Sequence, residues 1–180
     1  MNLSDFKRIM ILGNNGSGKS YFAKECSAIT GLPLIHLDAE FWRPNWGMPT
    51  EGEWRRKITE FVSKEEWILD GMCDHGGTIE LRFAAADLVI FLDAGRLTCL
   101  MGVLKRQGKK RTDTAVNHHF DEKFDKRFLH FCKGIWCFPK SSRRNNIMAL
   151  HRKYADKPFF MIHGRREMNR LLRQWKEGQR

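Results

Sequence analysis

Residues 13–20 read Gly13-Asn14-Asn15-Gly16-Ser17-Gly18-Lys19-Ser20, directly after the apolar run Arg8-Ile9-Met10-Ile11-Leu12. A buried strand that runs into a glycine-rich turn and then an amphipathic stretch (Tyr21, Phe22, Ala23, Cys26) is the setting of a phosphate-binding loop. The glycines let the backbone turn its N–H groups toward a polyphosphate. Lys19 reaches the β and γ oxygens, Ser20 binds Mg²⁺, and the helix that starts there adds its positive dipole end. Gly, Gly, Lys and Ser at four fixed positions arise by chance in on the order of one chain of this length in a hundred. The segment therefore predicts ATP as donor, held by residues Gly13 to Ser20 with Tyr21 in the first helical turn.

The rest of the chain alternates in the manner of a parallel α/β sheet. Expected strands are Lys7 to Leu12, Leu34 to Leu37, Trp67 to Leu69, Leu88 to Leu92 and Phe159 to Ile162. Expected helices are Lys19 to Ala28, Thr50 to Ser63, Thr78 to Ala85, Leu97 to Arg106, Asp121 to Ile135, Ser142 to Tyr154 and Glu167 to Lys176. Trp54, Ile58, Phe61 and Val62 recur at helical spacing, as do Phe120, Phe124, Phe128 and Phe131, and Met168, Leu171, Leu172 and Trp175. Those stripes read as core. At 180 residues the chain makes one domain, residues 1–180, with no linker and no stretch of roughly 20 apolar residues to cross a bilayer. Five scattered cysteines without a Cys-x-x-Cys pair, and a start without a secretory pattern, predict reduced thiols in a cytoplasmic protein. Cys132 and Cys137 with His118-His119 match no common zinc spacing.

In such sheets ligands gather at the carboxyl ends of the strands, and three carboxylates fall there: Asp38, Asp70 and Asp93. Phosphoryl transfer needs neutralised charge, a held metal and a nucleophile in line. Lys19 supplies the first. Ser20 with Asp70 (or Asp93) would hold Mg²⁺ and its waters. Asp38 is placed to orient or deprotonate an acceptor hydroxyl. Trp42 and Trp46, in a loop after the second strand, either stack on an acceptor or pack back onto the sheet. The net charge of +11 is concentrated at Lys105 to Arg111, Arg143-Arg144, Arg165-Arg166 and the tail Arg170 to Arg180. Lys105 to Arg111 reads as a small basic lid, in an insertion of about 105–120, that brings guanidinium groups to the donor and excludes water. Arg144, at the start of a helix, opposes the dipole and calls for an external anion, which points to a ligand role.

The motifs together resemble a known family. Besides the loop, Ile35-His36-Leu37-Asp38 with Phe41-Trp42-Arg43-Pro44-Asn45-Trp46, Trp67-Ile68-Leu69-Asp70-Gly71, Ala86-Asp87-Leu88-Val89-Ile90-Phe91-Leu92-Asp93, Phe120-Asp121-Glu122-Lys123-Phe124 and Trp136-Cys137-Phe138-Pro139-Lys140 look like the bacterial DNA topology modulation proteins, which are similar to adenylate kinases. The resemblance implies a three-layer α/β/α P-loop NTPase of nucleotide-kinase type, with a five-stranded parallel sheet of order 2-3-1-4-5 and a lid. Departures from the family are Met72-Cys73, Gly95 and Gly102, the last standing where relatives carry an arginine. Arg106 and Arg111 would then supply the donor contacts. Arg82 is the expected acceptor anchor.

The favoured reading is a Mg²⁺-dependent kinase that passes the ATP γ-phosphate to a small molecule such as a nucleotide or nucleoside. Its expected catalytic groups are Lys19, Asp38, Arg106, Arg111 and Arg144, and it would act as a monomer or homodimer. The rival is a nucleotide-dependent DNA-binding regulator whose positive charge serves the duplex backbone. A 5′-hydroxyl polynucleotide kinase joins the two ideas. No helix-turn-helix or zinc module favours the nucleic-acid readings.

Overall fold

The computed structural model describes residues 2–43, 47–106 and 126–178. Trp46, Arg111 and the expected lid beyond residue 106 lie outside them. Strands β1 (Arg8–Gly13), β2 (Leu34–His36), β3 (Trp67–Asp70), β4 (Leu88–Leu92) and β5 (Phe159–Ile162) form one sheet in the order β2-β3-β1-β4-β5, with every pairing parallel. Side chains alternate between its faces with the period of two that a strand imposes. Met10, Leu12, Leu69 and Phe91 point into one core, and Ile9, Ile11, Ile68 and Ile90 into the other.

Helices α1 (Lys19–Thr30) and α8 (Arg165–Glu177) cover the second face, through Phe22, Ala23 and Cys26 on α1 and Met168, Leu172 and Trp175 on α8. The first face is covered by α3 (Glu51–Val62), α4 (Thr78–Ala85) and α7 (Ser142–Lys153). Thr50 opens α3 with a capping box: its side chain accepts from the Glu53 N–H while Glu53 accepts from the Thr50 N–H. Such a cap contributes about 1 kcal/mol and fixes where the helix begins. A third, smaller core lies between α5 (Arg96–Arg106) and α6 (Lys126–Cys137), made of Cys99, Val103, Phe128 and Ile135.

The loop after β2 departs from expectation, because Leu37–Phe41 forms a short helix, α2, which buries Leu37 and Phe41. Trp42 follows it half-buried, edge-on to Phe41 with ring centroids 5.0 Å apart, and packs on the first core. Between the two readings of Trp42, packing back onto the fold is the one realised. Among the described residues no helix is long and apolar enough to cross a membrane.

Candidate functional site

Three neighbouring strands end together. β1 runs into the 13–18 loop, flanked by β3, which ends in Asp70, and by β4, which Asp93 follows. The helix after β1 (α1) and the one after β3 (α4) lie on opposite faces of the sheet. A crevice therefore opens at the carboxyl ends of β1 and β3, where open α/β sheets take their ligands.

The loop has the backbone such a site requires. Gly16 and Gly18 have φ of 78° and 96°, a left-handed region closed to most side chains. Gly18, at the N-cap of α1, has no side chain with which to cap that helix. No described residue accepts from the Gly16 or Gly18 N–H. Lys19 is nearly buried, and its ammonium donates to the Asn14 carbonyl at 3.0 Å, inside the loop. Asn14 braces the loop from without: its Nδ2 donates to the Ile135 carbonyl of α6 at 3.0 Å and its Oδ1 accepts from the Asn15 N–H. The Asn14 side chain is thus taken up in bracing the loop while its carbonyl holds Lys19, and Tyr21 stands exposed on the first turn of α1.

Helix α5 sits directly on this loop. A Cβ on Gly16 would lie 2.0 Å from the Cys99 carbonyl oxygen, and one on Gly102 would lie 2.3 Å from the Gly16 oxygen. The two backbones touch with no side chain between them, which gives Gly102 a structural reason where the family resemblance leads one to expect an arginine.

On one side of the loop, Asp70 is buried. Its Oδ2 accepts from His36 Nδ1 at 2.9 Å, and its Oδ1 is buried without a hydrogen-bond partner. A carboxylate oxygen left so is costly unless a water or cation meets it, and the oxygen of an ionised carboxylate or of a hydroxyl such as that of Ser20, at the start of α1, is the kind of donor Mg²⁺ takes. On the other side, Arg144 donates to Asp93 from Nη2 at 2.7 Å and from Nε at 3.3 Å. The hydrogen bonds and charge of Asp93 raise the Arg144 pKa against the effect of burial. The anion that Arg144 needs at its helix start is thus internal, and this pair stands beside the loop rather than presenting a free cation.

Arg82 has a different place from the one expected. It is fully buried, and it donates from Nη1 to the Gly71 carbonyl at 3.0 Å, from Nε to the Thr78 carbonyl at 3.3 Å and from Nη2 to the Cys73 carbonyl. Burial pushes its pKa down to about 10, partly offset by Cys73, Asp74 and Asp38. Arg82 holds the 71–73 turn after β3, and its donors are not open to an acceptor. Asp38, half-buried on α2, contributes to the field at Arg82 and at Cys73. Arg106 closes α5.

No family model matches the chain, and no curated protein does. Among solved structures it is similar to shikimate kinase from Acinetobacter baumannii in complex with shikimate, at a TM-score of 0.56 and 12% identity, covering 96% of this chain and 92% of that one. The fold is that of the P-loop kinases. Deoxyadenosine kinase from M. mycoides with bound dCTP also matches, at a TM-score of 0.44 and 14% identity, over 94% of this chain and 98% of that one. The likeness to shikimate kinase, with the strand order, shows the fold; the DNA topology modulation family is not shown. The sequence puts His36 with the Trp42 loop, where an acceptor would dock; its tie to Asp70 was not legible, since it exists only through the pairing of β2 with β3.

Proposed function

We propose that the chain is an ATP-dependent phosphotransferase acting on the hydroxyl or phosphate of a small molecule such as a nucleoside or nucleotide. The observation that carries this reading is the 13–18 loop itself, with Gly16 and Gly18 in the left-handed region, Gly18 leading straight into α1, and a buried lysine ammonium folded onto the loop's own Asn14 carbonyl. The N–H groups of the loop and of the first turn of α1 bind the donor's phosphate tail. Lys19, drawn from the Asn14 carbonyl to the β/γ oxygens, neutralises the charge that develops there. Ser20 and the unpartnered Asp70 Oδ1 would hold Mg²⁺, which would supply Lewis-acid neutralisation of the phosphate charge. Asp38, at the carboxyl end of β2, accepts the proton of an acceptor hydroxyl or orients it. The Arg144–Asp93 pair borders the loop, and a small shift of Arg144 would turn its remaining donors toward the γ-phosphate. The further cations in this scheme are Arg106 and Arg111, with the basic segment that follows α5 excluding water.

The test is acceptor-dependent ADP release in Mg²⁺, with nucleosides, nucleotides, sugars and 5′-hydroxyl oligonucleotides offered in turn. A small-molecule acceptor should raise the rate above background, and Lys19→Ala should cut that rate by about 10²-fold or more, as loss of a transition-state donor does. Stimulation by oligonucleotides alone would favour the polynucleotide-kinase reading. No stimulation by any acceptor would count against phosphotransfer.

A further inference from the structure

We propose that His36 is a positioning residue: it sets the Asp70 carboxylate so that one oxygen faces a divalent cation shared with Ser20. This rests on the phosphotransfer reading above and adds to it the residue that orients the metal's carboxylate.

The parallel register places His36 directly opposite Asp70 across β2 and β3. The imidazole Nδ1 donates to Asp70 Oδ2 at 2.9 Å, and both side chains are largely buried. A carboxylate turns freely about its last bond until something holds it, and here one oxygen is held by a ring that is itself fixed. The other, Oδ1, is buried without a partner. Strand alternation shows which way the group faces. Leu69 belongs to the core under α3 and α4, and Ile68 to the core under α1 and α8. Asp70, two residues beyond Ile68, therefore points to the α1 side, where the first turn carries Lys19 and Ser20. His36 and Leu34 share that face of β2, and Leu34 packs against the same core.

A side chain that holds a metal-directed carboxylate in this way is worth about 10- to 100-fold in metal affinity or activity. A purely architectural His36–Asp70 tie would instead lower stability and weaken every ligand alike. The two roles separate in how binding responds to the metal.

The experiment titrates a methylanthraniloyl-labelled ADP into wild-type protein, His36→Asn and His36→Leu, with EDTA and then over a Mg²⁺ series. The amide N–H of His36→Asn stands near the place of Nδ1, whereas His36→Leu has no donor. In His36→Leu the Mg²⁺ concentration for half-maximal enhancement should rise by about 10-fold or more, with metal-free affinity unchanged. His36→Asn should recover most of the response. Should His36→Leu fail to fold, His36→Ala read with and without free imidazole gives the same comparison, imidazole being expected to restore the response. A wild-type Mg²⁺ response in His36→Leu, an equal loss with and without metal, or no recovery by either rescue would overturn the assignment. If wild-type protein binds no labelled nucleotide under any condition, the phosphotransfer reading itself fails and this inference with it.

Discussion

Replacing Gly102 by alanine places a methyl group where the structure has room for none. The new Cβ would sit 2.3 Å from the Gly16 carbonyl oxygen and 3.1 Å and 3.2 Å from the Gly16 carbonyl carbon and Cα. Ordinary contact requires a further separation of about 1 Å, and both partners are backbone, so no side chain can swing aside. Alanine favours a helix interior by about 1 kcal/mol over glycine, whereas forced overpacking costs about 1–3 kcal/mol. The net effect is a loss of up to about 2 kcal/mol, together with a displaced phosphate loop. Gly134 on α6 supplies the control, because it is exposed and a Cβ there meets nothing within 4 Å. Gly134→Ala should gain about 1 kcal/mol, for propensity acts there alone. In thermal unfolding Gly102→Ala should melt at or below wild type and Gly134→Ala above it, the two differing by about 2–12 °C. Labelled ADP should bind Gly102→Ala more weakly and Gly134→Ala as wild type. If Gly102→Ala is stabilised like its control and keeps full affinity, α5 does not rest on the loop as described.

Arg82→Met should lower the urea-unfolding free energy by about 3 kcal/mol or more, because three carbonyls, two of them in buried hydrogen bonds, lose the guanidinium donor, and Arg82→Lys should not restore it since an ammonium cannot serve three diverging acceptors. Iodoacetamide at neutral pH followed by mass spectrometry should label the exposed Cys137 well before Cys73, whose thiol burial pushes up to about 11, and before the buried Cys26 and Cys99, which burial also shifts upward. Burial alone would raise the Asp87 carboxyl, but hydrogen bonds from Arg8 and from the Arg8 and Lys7 N–H groups outweigh it and hold it below its ordinary value near 3.8. A lowered carboxylate stabilises the fold above its unfolded pKa, and that contribution is lost as pH falls through the folded value. Asp87→Asn should therefore be less stable than wild type near neutrality, with the difference closing below about pH 4, when both are followed by urea unfolding.

The elements carried by pattern were legible. An apolar run between a charged residue and a glycine turn leaves β1 little choice, and the helix from Thr78 to Ala85 and the strands Leu88–Leu92 and Phe159–Ile162 lie where periodicity puts them. The 13–18 loop was legible for the same local reason, since its glycine-rich turn from β1 into α1 is written within eight consecutive residues. Pairings between distant residues were not legible. Arg82 has the sequence context of a ligand-facing arginine, and only tertiary burial turns its guanidinium onto three carbonyls of its own chain. Arg144 takes its anion from inside the chain, Asp93 just after β4, where the sequence pointed to an external one. His36 meets Asp70 through strand register, and Gly102 meets Gly16 through the seating of a helix on a loop. Short α2 escaped notice because five residues give too little periodicity to separate a helical turn from an aromatic loop.

Calorimetric titration of ATP, in excess Mg²⁺, into wild-type protein and into Lys19→Ala tests the central claim most directly. The account predicts one ATP per chain for the wild type and an affinity at least about tenfold weaker once the buried ammonium is gone. Absence of binding to the wild type, or equal affinities for the two proteins, would contradict it.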